Sequence, residues 1–370
     1  MRTHQLTSAL VLAVIASWSA SIIGQGSAGQ SVRPRAAAST TIARTPDGQP
    51  DLQGLYDVAT LTPLERPAAF GNTLSLTDEQ ARKLEQAVAD RKERLALPSD
   101  GNRAAPPVGG DGSTGAAGNV GGYNNFWIDN GTQYVTVDGQ KRTSIIVDPA
   151  NGRVPALLPE ATKRNAARLL QTTSDEQESS DPGLERAANA YDDPERRPLG
   201  ERCLLGFGST SGPPALPVLY NNLHQIVQTR NTVMIINEMN HDVRVVRIGG
   251  QHLAPTVRKW MGDSIGRWEG DTLVIDTTNF TDKTRFRGSS ENLHVVERIS
   301  RIDDKTLLYR FTVEDPTTWA TPWTGEYTWP VTDEQMFEYA CHEANYALGN
   351  ILRGARQRDR ESAAKRSENR

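Results

Sequence analysis

The sequence predicts a mainly β protein: an antiparallel β-barrel or β-sandwich with a few peripheral helices and long loops. Three observations point there. Leu307, Tyr309, Phe311 and Val313 alternate with Leu308, Arg310, Thr312 and Glu314, the pattern of an antiparallel sheet covered on one face. Turn signals punctuate such runs, as at Asn130-Gly131, Asp138-Gly139 and Gly270-Asp271, and Asn-Gly and Asp-Gly are strong hairpin signals. Eight or more short strands are expected, and so many must hide their edges, by closing into a barrel or packing as two sheets. No Rossmann glycine pattern, Walker sequence or fixed-period repeat competes.

The elements follow in order. Arg2 and His4 precede an apolar stretch, Leu10 to Ile23, and Gly26 and Ala28 supply small residues at a cleavage position. This is the pattern of a signal peptide over residues 1–28, with a periplasmic or secreted destination. No later stretch is apolar enough to span a bilayer. Residues 29–50 read as a flexible leader, and 51–352 as a single large β-rich domain with a subdivision conceivable near 195–217. Leu52 to Ala59 is the first strand. Thr77 to Arg94 is the clearest helix, with Thr77 as cap and Gln80 three residues on. Residues 99–121 are rich in glycine and poor in apolar side chains, hence a long loop.

Strands then follow at Asn125–Ile128, Gln133–Val137 and Arg142–Val147. A polar, partly helical stretch (160–190) and a Pro/Gly-rich crossing segment (194–217) lead to a denser series. That series comprises Leu223–Gln228, Thr232–Met239, Asp242–Ile248, Thr272–Thr278, Asn292–Ile302, Thr306–Glu314, Thr324–Trp329 and Gln335–His342. Asp303-Asp304-Lys305 turns one hairpin. Residues 353–370 form a tail of mixed charge.

With 41 Lys and Arg against 45 Asp and Glu, neither sign dominates. No basic patch of the kind a nucleic-acid partner needs stands out. Cys203 and Cys341 are the two cysteines. An oxidising compartment allows a disulfide between them, and two buried thiols are the alternative.

Four of the six histidines lie beside acids or amides in the strand-rich half: His224, His241 near Glu238, His294 near Glu297, and His342 next to Glu343. Histidine suits proton transfer near neutral pH and binds transition metals, so these seven residues are the candidate catalytic set. Strand parity limits how they combine. His294 and Glu297 fall on opposite faces unless a bulge intervenes. His342 and Glu343 diverge as well, and so do Cys341 and His342, which argues against a thiol nucleophile paired with its base. Glu297 sits in the run Leu293, Val295, Ile299, so burial requires a hydrogen-bonded partner, with Arg244 or Arg310 as candidates. His252 and Asp263 read as loop residues. The cofactor is left open, and the ligand spacing admits a divalent transition metal without favouring one. Trp319, Trp323, Tyr327 and Trp329 crowd one region, either as packing or as the wall of a pocket.

Several stretches carry a resemblance. They are Pro50-Asp-Leu-Gln-Gly-Leu-Tyr56, Leu61-Thr-Pro-Leu-Glu-Arg-Pro67, Gly122-Tyr-Asn-Asn-Phe-Trp127, Arg142-Thr-Ser-Ile-Ile-Val-Asp-Pro149, Trp260-Met-Gly-Asp-Ser264, Arg267-Trp-Glu-Gly-Asp-Thr-Leu273 and Cys341-His-Glu-Ala-Asn-Tyr346. In these the chain resembles a family of exported, largely uncharacterised, β-rich bacterial proteins. The opening strand and the Trp-Glu-Gly-Asp hairpin are also lipocalin-like. The resemblance implies export and a β fold, and no catalytic residues.

The functional expectation is an exported β-barrel-like protein that holds a small organic molecule, acting as a hydrolase, lyase or isomerase through His/Glu acid–base chemistry. The alternatives are a non-catalytic periplasmic ligand-binding protein of similar fold and a structural or protein-interaction module. A histidine hydrogen-bonded to a carboxylate inside a concave pocket marks the enzyme. A pocket without that pair marks the binder.

Overall fold

The computed structural model describes residues 42–96, 128–172, 193–207, 212–343 and 345–368. The expected signal peptide, the leader up to residue 41, the glycine-rich loop 99–121 and all but the last residue of the strand expected at Asn125–Ile128 lie outside the described residues.

The chain builds one large sheet. Its strands are β1 (Gly54–Asp57), β4 (Ile146–Asp148), β5 (Leu223–Gln228), β6 (Thr232–Asn237), β7 (Val243–Ile248), β8 (Asp263–Glu269), β9 (Thr272–Thr278), β10 (His294–Arg301), β11 (Thr306–Glu314) and β12 (Trp323–Pro330). They lie in the order β1-β5-β6-β7-β8-β9-β10-β11-β12-β4. A separate two-stranded ribbon joins β2 (Thr136–Val137) to β3 (Gln140–Lys141). Its turn is the anticipated Asp138-Gly139, both with positive φ, as a two-residue hairpin turn demands.

The large sheet curls into a half-barrel and its ladder stays open, so the closed barrel or two-sheet sandwich expected from the sequence is replaced by a single curled layer. Edge protection comes by other means. Both edge strands are short, and the backbone of β1 is engaged just past β12, where Thr332 N–H donates to Leu55 O at 2.9 Å and Tyr56 bridges Val331. Short, covered edges offer little template for another chain.

Alternation explains which face curls inward. Val295, Glu297, Ile299, Leu307, Tyr309, Phe311, Trp323, Tyr327 and Trp329 point into the concavity and are buried. Arg298, Arg310 and Thr312 point out. Gly325 is required on the inner face. It pairs with Phe311 across the ladder, and a Cβ there would stand 2.3 Å from the Phe311 ring. The ring fills the space a side chain would take. Trp319, Trp323, Tyr327 and Trp329 are buried to within 2 % exposure; Trp329 stacks on Tyr309, Trp319 meets Trp323 edge-on, and Tyr327 tilts against Trp329. None of them lines the cleft described below.

Among the described residues, three α-helices lie outside the sheet: α1 (Asp78–Ala96), α2 (Pro159–Thr172) and α3 (Tyr346–Glu368). The cap foreseen for α1 forms reciprocally: Thr77 N–H donates to Gln80 Oε1 at 2.9 Å, and Gln80 N–H donates to Thr77 Oγ1 at 3.2 Å. Pro159 opens α2, where its missing N–H costs nothing. The expected charged tail from 353 onward is the distal part of α3. That helix buries Ala355, and its side chains from Arg356 to Ser367 are exposed.

Two segments depart from the sequence reading. Gln335–His342 makes no strand. Its alternating Phe337, Tyr339 and Cys341 mimic one, but β4 already occupies the free side of β12, and Cys341 is instead tied to Cys203 by a disulfide with Cα atoms 5.8 Å apart. Asp263, read as a loop residue, begins β8 and is fully buried. β8 pairs in parallel with β7, so no tight turn announces its start, although the Gly270-Asp271 turn closes its hairpin with β9.

Candidate functional site

Three polar or concave features stand out: a chain of groups inside the sheet, a row of charges on its outer face, and a cleft at its edge.

Inside, Glu297 is the centre. Its carboxylate takes a bidentate pair from Arg244, with Nη2 donating to Oε1 at 2.8 Å and Nη1 donating to Oε2. Tyr309 O–H donates to Glu297 Oε1 at 2.7 Å and itself accepts from Ala215 N–H at 2.9 Å. Tyr327 O–H donates to Ala215 O at 3.0 Å. All these side chains are buried. Burial lowers the Arg244 pKa, but Glu297 more than offsets this and holds it above the ordinary value. Burial, then the Glu297 charge, pushes Tyr309 far up, so it stays a neutral donor. Each charge is paired, which is the condition for tolerating it here. Of the two partners expected for Glu297, Arg244 is the one found. Arg310 points outward to Glu326 at 3.0 Å.

His224 shares this interior. Its ring stacks on Trp329 with centroids 5.1 Å apart. Burial lowers its pKa to about 4, with the Asn237 side chain opposing and Arg244 reinforcing the shift. The ring is neutral at pH 7.

The outer face carries a continuous row. His294 Nδ1 lies 2.6 Å from Glu314 Oε1, and its Nε2 lies 3.1 Å from Asp276 Oδ1. His252 Nε2 reaches the same Asp276 oxygen at 3.0 Å, and its Nδ1 lies 3.3 Å from Asp263 Oδ2. Asp263 then takes a bidentate pair from Arg247 at 2.9 Å and a contact from Lys259 Nζ at 3.1 Å. The hydrogen bond with Asp276 raises the His294 pKa, burial pulls it back, and Glu314 adds to the rise, leaving it at about 9. His294 is therefore an imidazolium donating from both nitrogens. The His294 bond holds Asp276 below the usual carboxylate range, and the Arg247 bond does the same for Asp263.

The four candidate histidines thus do not converge. His224 is in the core, and His294 is on the outer face, parted from Glu297 as parity requires. His241 is exposed at the end of the turn after β6 and has positive φ. Glu238 is buried, but it caps backbone: it accepts from Phe337 N–H at 2.9 Å and Leu223 N–H at 3.4 Å. His342 and Glu343 are exposed beside the disulfide. The outer row enlists Asp276, Glu314, His252 and Asp263 instead. A signal for one of them exists in the sequence. His294 and Glu314 lie equally far on either side of Asp304, and they are directly opposite in the hairpin.

The cleft has a volume of about 560 Å³, within the range of small-molecule sites. Pro63, Leu64, Ile145, Leu216, Val218 and Met239 supply apolar walls, Phe207 and Tyr220 add rings, and Arg287 is the one charged lining residue. It draws on loops: the segment that leaves β1, the crossing segment before β5, the turn after β6 and the turn that carries Arg287. No histidine and no carboxylate lines it. Among the described residues, no group of three or more His, Cys, Asp or Glu side chains is arranged to hold a metal ion, and no helix is long and apolar enough to cross a membrane. In comparisons with known proteins, the chain matches no protein-family model, no curated protein and no solved structure.

Proposed function

We propose that this protein binds a small, largely apolar organic molecule in the cleft between Leu64, Val218 and Met239, without transforming it. One observation carries the reading: the concave, apolar cavity contains neither a histidine nor a carboxylate. The protein's histidine–carboxylate contacts lie on the outer face, on residues that take no part in the lining. Apolar walls with few polar groups are what a binding site for such molecules requires. The curled sheet beneath is rigidly packed, and ligand sites on loops held by a rigid scaffold are common. The amino-terminal signal pattern and the Cys203–Cys341 disulfide support export to an oxidising compartment.

The test uses a neutral apolar fluorophore, N-phenyl-1-naphthylamine. Wild-type protein is expected to bind it saturably at one site. Val218→Trp, which fills the cleft, is expected to abolish that binding while leaving the far-ultraviolet circular dichroism unchanged. Unaltered binding in the filled variant, with the fold intact, contradicts the reading.

A second reading, acid–base catalysis on the outer face, rests on Asp276 Oδ1 lying within 3.1 Å of two imidazole nitrogens. It requires substrate to reach a row already engaged at both ends by Glu314 and Arg247.

A further inference from the structure

We infer that the ligand of the cleft is an anionic amphiphile, an apolar body carrying one carboxylate that pairs with Arg287. This rests on the binding reading above and adds the chemistry of the ligand's polar end.

Three observations support it. First, Arg287 is the only charged residue of the lining, and everything else that faces the cavity is apolar or neutral. A single cation in an apolar cleft favours a single anion, because guanidinium offers a fork of donors that matches a carboxylate. Second, Arg287 is held at a defined place. It sits in a short turn with φ of 51°, directly after Phe286. The Phe286 ring is buried and stacks on Trp323 with centroids 6.1 Å apart, so the backbone that presents the guanidinium is anchored in the core. Third, its present partner is easily exchanged. Arg287 Nη1 lies 3.7 Å from Glu65 Oε1, with both side chains nearly half exposed. That is long for a hydrogen bond, and exposed pairs of this kind contribute little. A ligand carboxylate entering beside the apolar wall has more to offer the guanidinium than Glu65 does.

Direct binding of a matched pair, octanoate and 1-octanol, measured by titration calorimetry at low salt and pH 7, tests the inference. The two share an apolar tail and differ in the charged end. Octanoate is expected to bind about tenfold tighter than octanol, the order of one charge-assisted hydrogen-bonded pair. Arg287→Ala is expected to erase that margin, while Arg287→Lys keeps part of it. Equal affinity of the two probes for wild type overturns the anionic ligand and leaves the apolar site standing. A margin that survives Arg287→Ala does the same. If neither probe binds wild type, the binding reading falls with it.

Discussion

His294 and His224 titrate in opposite directions for reasons visible in their surroundings. Asp276 and Glu314 flank His294 and favour its charged form, whereas the core around His224 penalises charge. Following the Hε1 resonances by NMR should show His294 titrating near pH 9 and His224 near pH 4. Asp276→Asn should bring His294 back toward its ordinary value of 6.5. An unmoved His294 titration in that variant contradicts the outer row as drawn. Glu297 makes a different prediction. Removing one partner of a buried, hydrogen-bonded ion pair leaves the other charge uncompensated, which costs about 3–5 kcal/mol. Glu297→Ala should therefore lose about that much in urea unfolding, and Arg244→Ala a similar amount. A loss below about 1 kcal/mol would show that the pair is not buried as described.

The β10–β11 hairpin was legible in the sequence because alternation, length and turn all agreed. Its faces were legible too, which is why Glu297 pointed to a buried partner. Convergence of histidines from separate strands was not legible. Parity gives the face of each residue only relative to its own strand: it set His294 opposite the apolar face of β10, but nothing local states that β5 turns His224 inward. The start of β8 was hidden for a related reason, although the Gly270-Asp271 turn marks its end. A parallel pair needs a crossing segment rather than a tight turn, and the loop between Ile248 and Asp263 reads as irregular. Gln335–His342 shows the reverse error, since alternation is necessary for a half-buried strand but does not supply a neighbour. The loops that form the cleft carried no periodic signal at all. The disulfide at the end of that segment has a testable consequence. It closes a loop of 138 residues, and cross-links over such spans stabilise by about 2–4 kcal/mol, chiefly by restricting the unfolded chain. Reduction, or the Cys203→Ser/Cys341→Ser double variant, should lower the midpoint of thermal unfolding while the β signature persists at room temperature. An unchanged midpoint would mean that the two sulfurs are not bonded.

For the molecule as a whole, the two histidines set limits on stability from opposite sides. His294 has its folded pKa raised from 6.5 to about 9, so its contribution is complete below pH 6.5 and is lost as pH rises through 9. His224 has its folded pKa lowered from 6.5 to about 4. The unfolded chain takes up that proton first, so stability declines as pH falls from 6.5 toward 4. Unfolding free energy measured against pH should peak near neutrality, with His294→Asn flattening the alkaline limb and His224→Phe the acid limb. The architecture separates these charged and titrating groups from the cleft, so a role for the cleft and a role for the outer histidines can be told apart. The most direct comparison is the dissociation constant of N-phenyl-1-naphthylamine for wild type, Val218→Trp and His294→Ala, measured side by side. Loss of binding in Val218→Trp together with wild-type affinity in His294→Ala is the expected result. Binding that survives the filled cleft but disappears with His294 would contradict it.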